Sequence, residues 1–308
     1  MITSIKTNGL ALGAVVFSLT VPAAFGALPG PTVSPAWLAQ HLHDRHLLVL
    51  DLRTPEQYAQ GHIPGAVSAP YAQWRQTIRN VNRMLPPVPV IQAYLRHAGL
   101  NQTSEVVLYT AVKTPMALGL GAETRAFWTL AVLGHRAQAI LPTGYEGWVA
   151  AKQPVAQSAA RVTRGNFVAH LQPQYLATRA SVQRDLATHR ATLVDDRPMS
   201  QIVGLSKAPF VSSYGHIPGA LAYPANWLVN PEGVLVQRDQ LVRLAQLSRV
   251  PQNRAAPVVT YCNTGHWASI GWFTMTQELG YRNVRLYDGS MTQWAHHKHD
   301  PIAVGFVR

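Results

Sequence analysis

The sequence predicts an α/β protein built from two tandem copies of one domain, each a mostly parallel central sheet flanked by helices. Three observations carry this. The hexapeptide Gly-His-Ile-Pro-Gly-Ala occurs twice, at 61–66 and at 215–220. Each occurrence follows an apolar run that ends on an acid and an arginine, Val49 to Arg53 (VLDLR) and Leu193 to Arg197 (LVDDR). Between such runs the apolar spacing turns helical, and strands alternating with helices imply a parallel sheet with crossover helices. The length of 308 residues exceeds one ordinary core and suits two.

Composition narrows the class. With 47% hydrophobic and 13% charged residues the chain is globular and not disordered. The net charge is +12, but the 26 lysines and arginines are scattered, with no basic run and no interleaved aromatic stripe. Nucleic acid is therefore excluded as a partner, and a general positive field suits small anions. A single cysteine cannot close an internal disulfide.

In order along the chain, residues 1–26 read as a signal peptide. Lys6 supplies the positive start, Leu10 to Val21 is an apolar run, and Ala24-Phe25-Gly26 offers small residues for cleavage after Gly26. The run is short for a span of about 20 residues, so the expectation is a periplasmic or secreted protein with no stable membrane insertion after signal removal; retention as an uncleaved anchor is the alternative. The first domain, 27–152, opens with Ser34-Pro35, an N-cap and a first-turn proline, for a helix through Leu42. His46 to Leu52 (HLLVLDL) is a buried strand, Pro55 to Gln60 a helical turn, and the hexapeptide a tight turn into a short strand. Residues 153–166 form a small-residue linker, and 167–308 the second domain. There Gln172 to Leu176 parallels Ser34 to Leu38, Leu279-Gly280 answers Leu133-Gly134, Gly289 answers Gly144, and Trp294 answers Trp148.

The copies differ where chemistry would occur. In the second, Val258 to Tyr261 is a strand that stops at Cys262, and Ala268 to Glu278 is spaced like a helix. A loop in that position aims N–H groups and the positive end of a helix dipole at the sulfur, which favours the nucleophilic thiolate. The first copy has Tyr109-Thr110 there, and 24 residues rather than 18 separate that position from the shared Leu-Gly. A threonine with no base beside it is a poor nucleophile, so the first domain is read as structural or regulatory.

The repeated hexapeptide, the loop Cys262 to Trp267 (CNTGHW) before a helix, and the later Leu286 to Ser290 (LYDGS) together resemble the tandem rhodanese family of sulfurtransferases, over residues 33–300. The resemblance implies two rhodanese-like domains, the first inactive. It implies that Cys262 accepts a sulfane sulfur as a persulfide, with no cofactor beyond that covalent intermediate. Asn263, Thr264, Gly265, His266 and Trp267 would cradle the persulfide, Arg197 would contact an anionic donor, and Asp195 would be a structural carboxylate near the site. Gly265 is the position suited to positive φ. His266 is a further candidate substrate contact through part-time positive charge, and Trp267 a pocket wall. The partners implied are a small anionic sulfur donor, thiosulfate or 3-mercaptopyruvate, and a thiol or cyanide acceptor. Thiosulfate-preferring members carry basic residues after the cysteine, and mercaptopyruvate-preferring ones a Gly, a small hydroxyl residue and a Gly. Asn263-Thr264-Gly265 fits neither fully, so the donor stays open.

The same sequence bears on other readings. His41, His43 and His46, and His296, His297 and His299, lack cysteine or carboxylate partners at ligand spacing, so no metal is expected. A cysteine phosphatase or arsenate reductase needs an arginine six residues after the cysteine, where Ala268 stands. The serious alternative is a non-turnover sulfur carrier or binding module that docks a periplasmic redox or maturation partner.

Overall fold

A computed structural model describes residues 28–112 and 118–306; the proposed signal peptide lies outside them. Apolar side chains alternate between layers so that each copy forms one parallel sheet. In the first, Ser34 Oγ accepts from the Trp37 N–H and opens α1 (Pro35–His41), followed by β1 (Leu47–Asp51), α2 (Pro55–Gln60) and β2 (Val67–Ser68). A hairpin of β3 (Gln76–Ile78) and β4 (Val81–Met84) projects next, before α3 (Val88–His97), β5 (Glu105–Tyr109), α4 (Leu118–Val132), β6 (Gln138–Ile140) and α5 (Gly144–Ala150). The second copy runs β7 (Leu176–Ala177), α6 (Arg179–Thr188), β8 (Thr192–Asp195), α7 (Met199–Ile202), β9 (Leu221–Ala222), α8 (Arg238–Leu247), β10 (Val258–Tyr261), α9 (His266–Phe273), β11 (Val284–Tyr287) and α10 (Ser290–Trp294).

The sheet orders are β2-β1-β5-β6 and β7-β11-β10-β8-β9. Read from the other edge, the second repeats the first with β7 added. All pairings in both sheets are parallel. Two details of the predicted repeat change. The counterpart of Ser34 is Thr178, whose side chain accepts from the Ser181 N–H to start α6, while Pro173 to Tyr175 is only a 3-10 turn before β7. And the linker is a strap on the first domain: the Gly165 N–H donates to the Arg96 carbonyl (2.8 Å), and the Phe167 N–H to that of Leu100 (3.1 Å). Phe167, expected to open the second domain, is instead fully buried, its ring 5.8 Å from that of His135 of the first. Gly165 is needed there, since a Cβ would stand 1.9 Å from the Leu100 carbonyl oxygen.

The core explains the strap. The outer face of each sheet has its own apolar cluster, one around Val49, Ile63 and Trp148 and one around Val259, Ile217 and Trp294. The inner faces share a third cluster that crosses between domains through α4 and α9. Phe127 meets Phe273 edge to face at 5.0 Å, and Thr124 Oγ1 is hydrogen-bonded to Ser269 Oγ at 2.9 Å. Neither half buries its inner face alone.

Candidate active site

Cys262 lies at the carboxyl end of β10, the middle strand of its sheet, where open parallel sheets collect ligands. It is 1% exposed and is the single free cysteine of the chain. The chain turns there because Gly265 adopts φ +71° and caps α9, which begins at His266, two residues earlier than its spacing predicts. The last turn, Thr274–Glu278, widens to a π-helix. First-turn N–H groups of a helix have no intrahelical acceptor, and a glycine cap carries no side chain to occupy them.

The loop is held from behind by Ser290. Its Oγ accepts from the N–H groups of Cys262 and Gly265, both at 3.1 Å, and donates to the Tyr287 carbonyl at 2.8 Å. The Met291 N–H donates to the Cys262 carbonyl and the Thr292 N–H to that of Asn263. Asn263 donates through Nδ2 to Gln201 Oε1 at 2.8 Å. Beneath the loop Asp196 is fully buried with both carboxylate oxygens unpartnered; burial pushes its pKa well above the carboxylate range, and the Cys262 and Asp195 charges push the same way.

The first domain completes the site. Arg125 of α4, fully buried, forms an ion pair with Asp288 and donates through Nη1 to the Gly265 carbonyl at 3.2 Å. A Cβ on Gly265 would meet that guanidinium at 2.2 Å, so the glycine serves both its φ and this contact. Tyr71 is hydrogen-bonded to His266 Nδ1 at 2.8 Å. Arg75 donates to the Thr264 carbonyl (2.5 Å) and to the Tyr71 hydroxyl (3.1 Å). The resulting pocket of about 520 Å³ holds Cys262, Asn263, Thr264, His266 and Trp267 on one side and Tyr71, Arg75 and Arg83 on the other, with Phe210 at its rim. Among the described residues no carboxylate lines it.

Two sequence-based assignments need correction. Arg197 does not reach the pocket: it is fully buried, its Nε and Nη2 pair with Asp195 (2.6 Å at the closest), and Nη2 also donates to the Gly215 carbonyl at 2.8 Å. Arg53 makes the same clamp on Asp51 and the Gly61 carbonyl in the copy without cysteine, which marks the motif as the fastener of the repeated turn. His266 does line the pocket, but as a neutral ring. Burial, and then the charges of Arg75, Arg125 and Arg83, hold its pKa well below the ordinary histidine value, so it supplies no positive charge. His62 and His216 of the repeated turn donate to the carbonyls of Tyr58 and Ile202.

The cysteine-less copy shows why it lacks a site. Its Thr110 N–H, the counterpart of the Cys262 N–H, donates to Glu123 Oε1 at 3.0 Å, and the Val112 N–H donates to Glu146 Oε2 at 3.0 Å. Its own carboxylates brace the loop from these N–H groups, where in the other copy the neutral Ser290 hydroxyl accepts from the Cys262 N–H. Among the described residues no group of three or more His, Cys, Asp or Glu side chains is placed to hold a metal. Ser290, Tyr71, Arg75, Arg83 and Arg125 were not foreseen as site residues; nothing local in the sequence brings Tyr71 to His266 across 195 positions.

Comparison with known proteins agrees with this geometry. A model of the rhodanese-like domain matches residues 34–151 and 178–297. The chain is 28% identical over 275 residues to 3-mercaptopyruvate sulfurtransferase of Escherichia coli K12, covering 85% of this chain and 94% of that one. It is also 28% identical to thiosulfate sulfurtransferase of Pseudomonas aeruginosa, covering 88% and 96%. The crystal structure of the Escherichia coli 3-mercaptopyruvate sulfotransferase SseA superposes with a TM-score of 0.73 at 26% identity, over 85% of this chain and 98% of that one.

Proposed function

The chain belongs to the rhodanese family and is a sulfurtransferase, and on that premise we propose that Cys262 is the group that carries the sulfur. The supporting observation is the position of the one thiol, at a strand end under a cationic pocket without carboxylates. In the first step the Cys262 thiolate attacks the outer sulfur of thiosulfate. The S–S bond of the donor breaks, sulfite leaves with the electron pair, and a cysteine persulfide remains. With 3-mercaptopyruvate the thiolate attacks the donor sulfur, the C–S bond breaks, and the enolate takes up a proton to become pyruvate. In the second step cyanide or an acceptor thiolate attacks the terminal sulfur and regenerates the Cys262 thiolate.

Each state of the cysteine is an anion, and the site is arranged for one. The pocket lies at the N-terminus of α9, whose dipole favours an anion, and Arg75 and Arg125 hold the loop carbonyls of Thr264 and Gly265 in place. Trp267 and Phe210 add apolar surface to the pocket lining, and Gln201 holds the Asn263 side chain. Residues 1–26, with a charged start, an apolar run and small residues at the end, support export as the setting, which N-terminal sequencing of the protein from a periplasmic fraction tests.

The reaction is tested by intact mass after incubation with each donor, followed by a cyanide assay. The wild-type chain should gain the mass of one sulfur atom and release thiocyanate, and Cys262→Ala should do neither. A persulfide that forms but is not discharged by cyanide or small thiols would favour a carrier over an enzyme. A wild-type chain that never gains sulfur would overturn the assignment of Cys262.

A further inference from the structure

The family's sulfur chemistry needs a group that recognises the anionic end of the donor, and the loop around Cys262 has no charged side chain to offer. Asn263 and Thr264 are neutral, His266 is held neutral, and Arg197 is spent on Asp195. Among the described residues the cations that line the pocket, Arg75 and Arg83, both come from the domain without the cysteine. Neither forms an ion pair with any carboxylate among the described residues.

Arg83 lies on β4 at φ +64°, exposed, with its guanidinium 5.4 Å from the Phe210 ring on the far side of the mouth. Arg75 donates from Nε to the Arg83 carbonyl at 2.9 Å, in addition to its bonds to Tyr71 and Thr264. A guanidinium has five N–H groups, so two of those on Arg75 remain for a ligand. The hairpin that carries Arg83 is not loosely hung. Arg79 and Asn80 both have positive φ, the requirement of a tight two-residue hairpin turn. At its other end the Leu85 N–H donates to Asp288 Oδ2 at 2.8 Å, and Asp288 is also the ion-pair partner of Arg125. The hairpin is thus fixed to the segment that begins α10 and holds the cysteine loop.

Resting on the sulfur-transfer reading, we propose that this hairpin of the cysteine-less domain is the donor-recognition element, with Arg83, backed by Arg75, binding the sulfonate or carboxylate end of the sulfur donor. The second domain carries out the chemistry and the first selects the donor. The acceptor, attacking after that anionic end has left, does not depend on it.

The test is steady-state kinetics of the full chain with thiosulfate and with 3-mercaptopyruvate, cyanide as acceptor, in the wild type, Arg83→Gln, Arg83→Lys and Arg83→Glu. Arg83 is exposed, so the variants should fold, which circular dichroism checks. Arg83→Gln should raise the donor KM about tenfold with kcat within a factor of two, the loss expected for one charge-assisted hydrogen bond. Arg83→Lys should restore most of the affinity, Arg83→Glu should lose more than Arg83→Gln, and the KM for cyanide should not move. An unchanged donor KM in Arg83→Gln and Arg83→Glu, in a wild type that turns over, overturns the inference and leaves the sulfur-transfer reading standing. A fall in kcat at constant donor KM also overturns it, because it would show a role in shaping the loop. A wild type that never forms the persulfide defeats the underlying reading first, and is seen by mass before any variant is made.

Discussion

At the scale of single residues, the difference between Arg197 and Arg83 shows how position decides role. Both are guanidinium groups near a reactive thiol. Arg197 is enclosed with Asp195 and a backbone carbonyl, and Arg83 stands at a pocket mouth with an aromatic ring as its neighbour. Breaking one partner from a buried ion pair leaves an uncompensated charge and costs about 3–5 kcal/mol. Arg197→Gln should therefore lower stability by that order, and Arg53→Gln, in the copy without a cysteine, by a similar amount, each read by urea denaturation. Equal losses would identify the pair as fasteners of the repeated turn. Ser290 works differently: one hydroxyl oxygen accepts from two loop N–H groups, so it braces the loop that carries Cys262.

At the scale of elements, α4 and α9 form the contact on which the site depends. Gly121 of α4 admits the His266 ring, since a Cβ there would lie 2.4 Å from Nε2, and the ring is closed from the other side by Tyr71. That enclosure has a pH consequence. The folded protein holds His266 below its ordinary pKa, whereas the unfolded chain protonates it near pH 6.5. Below that pH the unfolded state binds a proton the folded state refuses, so stability falls as the pH drops, by up to roughly 1.4 kcal/mol per pH unit for this group. His266→Gln should flatten the decline in melting temperature between pH 7 and pH 5 relative to wild type, measured by calorimetry. Much at this scale was legible in the sequence. Strand runs, the N-cap at Ser34 and the positive φ of Gly265 are set by residues close in sequence. The start of α6 was not, because Gln172 to Leu176 carries the same proline and apolar spacing as a true helix start, and only the pairing of β7 with β11 draws that segment into the sheet.

At the scale of the whole molecule, the two domains are one folding unit in their inner core and one site at its edge. The cysteine-less copy closes its own loop with Glu123 and Glu146 and lends its hairpin and α4 to its neighbour. A chain of residues 172–308 alone, which keeps β7, would expose the α9 face that Phe127 and its neighbours cover, including Trp272 and Phe273. Such an exposed apolar face favours aggregation, so that fragment should be insoluble or lack a cooperative thermal transition, and the full chain should melt in a single transition by calorimetry. Two resolved transitions in the full chain would show that the shared core does not couple the domains.

The sequence by itself determined the duplicated α/β plan, the asymmetry between the copies, and the loop that presents Cys262. These follow from periodicity, turn chemistry and one residue type, all of which act over a few positions along the chain. Tertiary structure decided what surrounds the sulfur. It turned Arg197 inward, lowered the pKa of His266, brought Tyr71, Arg75 and Arg125 across 140 to 195 positions to the cysteine loop, and set Arg83 in the same pocket. Burial and charge at a site are sums over neighbours in space, and the neighbours here belong to the other domain.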